Sequence, residues 1–142
     1  MRWLVGTLLL VWGGCRLKSE LYVDARTSPQ AFRTIAVVPG SGSGFDHQIA
    51  RRVWDGLRKA GVSVVDPSAL SPSPQIDVAS VCRQSAELGF QGVVLVDWNK
   101  LTLINCETQL TAFQVAGSDM NAPGVDRLAE VLVRFLHGEK LR

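Results

Sequence analysis

The chain has 142 residues, 46% hydrophobic and 20% charged, with a formal net charge of +2. Such a length suits one domain with a real core and is too short for two, and the composition is that of an ordinary globular chain. A charge so near balance, with no run of Lys or Arg, argues against nucleic acid as a partner and against a polybasic tail.

Residues 1–15 open with Arg2, continue in an apolar run from Leu4 to Trp12, and close on Gly13-Gly14-Cys15. That is the layout of a secretory signal ending in a lipid-modified cysteine. The run is too short to anchor the chain by spanning a bilayer, which takes about 20 apolar residues. The stretch resembles the leader of bacterial lipoproteins, with both glycines in place and Trp12 where the family usually has Leu. The resemblance implies that Cys15 begins the mature chain, carries acyl groups such as palmitate, and tethers a periplasmic domain. It also implies the outer membrane, because Arg16 stands where an Asp would favour retention at the inner one. Cleavage there leaves 128 residues, 15–142.

Residues 16–33 read as a tether of Lys, Ser, Glu, Asp and Pro29, in which Leu21-Tyr22-Val23 can form an edge strand. Thr34-Ile35-Ala36-Val37-Val38 is unbroken apolar sequence, the pattern of a strand covered on both faces. A flexible turn, Gly40 to Gly44, follows. Asp46 then caps a helix whose Ile49, Val53 and Leu57 recur every fourth position, with Arg51, Arg52, Asp55, Arg58 and Lys59 opposite and Gly61 as its stop.

Val62 to Val65 is a second strand, and Ser68 to Gln75 an exposed loop holding Pro72 and Pro74. A second helix runs from a cap at Asp77 through Val78, Val81, Cys82, Ser85 and Leu88 to Gly89. Gly92 to Trp98 repeats the buried-strand pattern and is expected to continue to Ile104. It then turns at Asn105-Cys106 and returns as Thr108 to Ala116, a hairpin of two long strands. A last helix opens at Asn121, with Pro123 in its first turn and Leu128, Leu132, Phe135 and Leu136 on one face. The order β-α-β-α-β-β-α predicts a single-domain α/β sandwich over 34–138, with three helices on a mixed sheet of about four to five strands.

Four stretches carry a wider resemblance: Thr34-Ile-Ala-Val-Val-Pro39, Leu57-Arg-Lys-Ala-Gly61, Val62-Ser-Val-Val-Asp66, and Glu87-Leu-Gly-Phe-Gln-Gly-Val-Val-Leu95. Together they resemble the small α/β domain of envelope lipoproteins, shared by CsgG, the amino-terminal domain of TolB, LpoB and the polysaccharide-export lipoprotein PelC. The likeness covers roughly Thr34 to Leu136. It implies a non-catalytic accessory or assembly subunit in envelope biogenesis or export, with an envelope protein as partner and the capacity to form a ring of identical subunits. Longer members insert pore or partner segments into the hairpin, which is short here, so no pore is implied.

The competing class is an exported small-ligand or nucleotide-binding enzyme using the loop Gly40-Ser41-Gly42-Ser43-Gly44, with Asp66 ending the next strand. That is where a dinucleotide fold holds its phosphates and ribose. The third glycine of the fingerprint falls on Phe45, however, and no Walker sequence is present. His47 and His137 have no ligand partners at metal spacing, and neither Ser41 nor Ser43 sits in a nucleophile elbow. No catalytic residue, metal or cofactor is therefore expected.

Cys82 and Cys106 remain as a pair that either bridges helix to hairpin or fills the core as separate thiols; sequence leaves both open. Trp98, between Asp97 and Asn99-Lys100, is the expected partner anchor. Arg51, Arg52 and Arg58, with Lys59, offer a face for lipid headgroups or an anionic polymer, or simply a solvated helix side.

Overall fold

The computed structural model describes residues 19–41, 44–70, 77–117 and 122–140. Within them run six strands: β1 (Ser19–Val23), β2 (Thr34–Pro39), β3 (Ser63–Val64), β4 (Gly92–Asp97), β5 (Lys100–Asn105) and β6 (Leu110–Gly117). The helices are α1 (Gly44–Lys59), α2 (Val78–Cys82), α3 (Ser85–Leu88) and α4 (Ala122–Leu136). One mixed sheet has the order β1-β6-β5-β4-β2-β3, parallel where β2 meets β3 and β4 and antiparallel elsewhere.

The unbroken apolar runs become the central parallel pair. Alternate residues of β2 go to opposite sides, Ile35 and Val37 to a core under α1 and α4, Ala36 and Val38 to a smaller one with Cys82 and Phe90. In β4, Val94 and Val96 join the first core and Val93 the second. Helix α1 brings Ile49, Val53 and Leu57 down on the sheet at intervals of four residues, and α4 adds Leu132 and Phe135. Gly61 ends the α1 region with φ at 87°, a left-handed conformation that costs glycine least.

The second layer stops at β4. Beyond it that face of the sheet carries the row Leu95, Thr102, Gln114 and Tyr22, read across β4, β5, β6 and β1 by register. Thr102 Oγ1 donates to Gln114 Oε1 at 3.3 Å.

Six strands and four helices replace the expected four to five and three. Within the stretch expected as a tether, the edge strand allowed at Leu21-Tyr22-Val23 forms: β1 pairs antiparallel with β6, setting Leu21 against Val115 and Val23 against Phe113. An apolar β6 left as the edge would expose its ladder, and β1 covers it.

The expected long strand is instead two, folded back at Trp98 and Asn99, so that Asp97 pairs with Lys100 and β4, β5 and β6 form a meander. The polar quartet in mid-run is the turn, with apolar strand on both sides. The helix expected over 77–89 divides at Arg83 and Gln84. There the bonding passes from Arg83 N–H on Ala79 C=O to Gln84 N–H on Val81 C=O, a tighter 3₁₀ closure that ends one helix and starts the next.

Candidate functional site

Chemistry-bearing residues gather where β2 and β4 end. Pro39 lies beside Val96, and the Gly40 N–H donates to the Val96 carbonyl at 2.7 Å, so the glycine loop leaves the sheet pressed against β4. A Cβ at Gly40 would overlap the Asp97 carboxylate, which explains why that position carries no side chain.

Asp46, buried in the first turn of α1, accepts a hydrogen bond from Ser41 Oγ at 2.6 Å. The positive end of α1, which would attract a phosphate, thus already holds a carboxylate of its own. Asp66, placed for a ribose, accepts instead from the backbone N–H and the hydroxyl of Ser68 at 2.9 and 2.8 Å. The Ser68 backbone bond, with the hydroxyl second, holds the Asp66 carboxyl below its usual range. The acid that the nucleotide reading requires is engaged with its own loop. Gly42 and Ser43 lie outside the described residues, as does Cys15.

Trp98 stands in the β4–β5 turn, 54% exposed, and Phe45, in the first turn of α1, is 50% exposed. Phe45 drew notice in the sequence only as a misfit in a glycine fingerprint. Phe45 continues the four-residue series of Ile49, Val53 and Leu57, which marks the buried face, so the sequence carries no signal of its exposure.

The basic side of α1 is largely paired within the domain. Arg52 forks onto Asp126 of α4, with Nε and Nη2 at 2.8 and 2.9 Å from the two carboxylate oxygens. Arg58 pairs with Asp55 at 3.3 Å and lies 5.2 Å from the centre of the Trp54 ring; Lys59 reaches Asp55 at 2.9 Å. Arg51 is exposed and pulls electrostatically on Asp66. Trp54 donates its indole N–H to the Val65 carbonyl at 2.9 Å, a structural duty.

The hydrogen bond from Arg52 lowers the Asp126 carboxyl pKa. A carboxyl depressed by folding stabilises above its unfolded value and loses that contribution as the pH falls through the folded one. With both side chains about half exposed, Asp126→Asn is expected to lower stability by less than about 1 kcal/mol at neutral pH. The gap between variant and parent should close as the pH is taken below about 4, as read from paired urea melts.

Cys82 and Cys106 form a disulfide, with Cα atoms 5.2 Å apart, that ties the end of α2 to the β5–β6 turn. His47 and His137 are exposed at distant places. Among the described residues no group of three His, Cys, Asp or Glu side chains is placed to hold a metal, and no helix is long and apolar enough to cross a membrane. Two surface depressions are open grooves. One of about 430 Å³ lies between α1 and α4, lined by Arg52, Asp55, Lys59, Asp126 and Glu130. Another of about 470 Å³ lies at the far end of the sheet, by Tyr22, Arg26 and Leu110. Both mix charges of either sign with apolar wall, which suits surface contact better than enclosure of a substrate.

No protein-family model matches the chain, and no curated protein does. Its fold is similar to that of PelC from Paraburkholderia phytofirmans in two crystal forms. A singly substituted PelC dodecamer superposes with a TM-score of 0.55 at 12% identity, over 84% of this chain and 98% of that one. A second PelC dodecamer gives 0.50 at 9% identity, over 88% and 99%.

Proposed function

With that fold as premise, we propose that the protein is an outer-membrane lipoprotein, held by acylated Cys15, whose periplasmic domain is a non-catalytic accessory subunit in exopolysaccharide export or related envelope assembly. The observation that carries the reading is the extent of the likeness: the fold accounts for 98% of one PelC chain and 99% of the other. The leader ending at Gly13-Gly14-Cys15 agrees with it. PelC is a dodecamer in both structures, which supports assembly of this chain with copies of itself. Several acyl chains together hold a protein at a bilayer where one holds it only marginally.

The test is to purify the protein from envelopes in mild detergent. Intact mass should show a chain beginning at an acylated Cys15, and light scattering a multiple of the subunit mass. A Cys15→Ser variant should move to the aqueous phase of a detergent split. A monomer that begins at Met1 without acyl mass overturns the proposal.

A further inference from the structure

The first strand starts four residues after Cys15, and this spacing limits which part of the domain can approach a bilayer. Four residues reach at most about 14 Å when fully extended. The headgroup layer on each side of the hydrocarbon is itself about 5–8 Å thick. A Cys15 held at that layer therefore keeps Ser19 next to it, with no slack for the domain to turn away.

Ser19 marks a particular corner. It pairs with Gly117 at the end of β6, and the Gly117 N–H donates to the Asn99 carbonyl at 2.8 Å, so the start of β1 adjoins the β4–β5 turn that bears Trp98. Because β2 runs parallel to β4, the start of α1 with Phe45 belongs to the same end of the sheet. The two most exposed rings at that end are thus carried to the place where the anchor enters. Leu110, also exposed, lies at the opposite end of β6, about 24 Å away at strand spacing.

Aromatic rings with one polar edge settle at the membrane interface, and Trp is enriched there. Lys100, at the other end of the turn from Asp97, adds positive charge for anionic headgroups.

We infer that the end of the sheet bearing Trp98 and Phe45 is a membrane-contact face, with both rings seated in the phospholipid headgroup layer. The inference rests on the lipoprotein reading and adds an orientation to it: the β5–β6 turn and the disulfide face away from the lipid.

The test reconstitutes the acylated protein into phosphatidylethanolamine and phosphatidylglycerol vesicles with brominated acyl chains, which quench nearby indoles. A chain beginning at Cys15 has two tryptophans, Trp54 and Trp98. Quenching and a blue shift are expected in the parent and should be lost in Trp98→Phe, whose remaining indole is committed to Val65. Quenching should return when Phe45→Trp is added to that variant, and should stay absent when Leu110→Trp is added instead. A chain without acyl mass removes both this inference and the proposal beneath it. An acylated chain whose Trp98 ignores bromine removes this inference alone. So does quenching at position 110 as strong as at position 98, or shielding of Trp98 by a co-purifying protein.

Discussion

Replacing Phe113 by Ala is expected to lower the free energy of unfolding by about 3–5 kcal/mol. The ring is fully buried in β6, between Val23 of β1 and Leu103 of β5, and its centre lies 4.8 Å from that of Phe135 on α4. One side chain therefore joins the edge strand, the meander and the last helix. Its neighbours on both sides are fixed by backbone ladders and cannot close over the space left behind. Domains of this size are stable by about 5–15 kcal/mol, so the loss leaves a weakly folded protein. A lower urea midpoint with an unchanged slope is the expected readout. A loss below about 1 kcal/mol would mean that the β6–α4 contact is not the joint described.

Removing the disulfide by Cys82→Ser with Cys106→Ser is expected to cost about 3.5 kcal/mol, the chain-entropy value for a loop of this length. The sequence separation is 24 residues. The damage should be local in character. Helix α2 has five residues and α3 four, far below the length at which a helix persists by itself, and together they cover only one end of the sheet. Hydrogen exchange should accelerate over 78–90 well before β4 and β5 lose protection. Equal acceleration across the whole sheet, or an unchanged melt, would contradict this account.

The sequence announces the strands of the sheet better than their partners. β2 and β4 are legible because strands covered on both faces must be apolar at every position, and Ile35 to Val38 and Val93 to Val96 are. α1 is legible from Ile49, Val53 and Leu57, which need no distant partner to mark a face. Leu21-Tyr22-Val23 reads as an edge strand, but its partner, residues 113–115, is something no local pattern can reveal. The turn at Trp98 and Asn99 has neither Gly nor Pro to mark it, so two strands read as one.

The candidate site divides in the same way. Trp98 stands out by its polar neighbours. By contrast, the pairing of Arg52 with Asp126 spans 74 positions and cannot be seen on a helical wheel. Cysteine arithmetic offers a bridge between Cys82 and Cys106, and only the approach of α2 to the β5–β6 turn provides it.

The partnership of β1 with β6 also sets an order of events. Val23 meets Phe113 across 90 residues and Ser19 meets Gly117 across 98, so β1 must wait for β6, which is made long after it. Until then β1 stays an open strand. Closing so long a loop places sheet completion late and makes it slow. A chain interrupted before residue 110 would leave β1 without its partner strand and never acquire a finished edge.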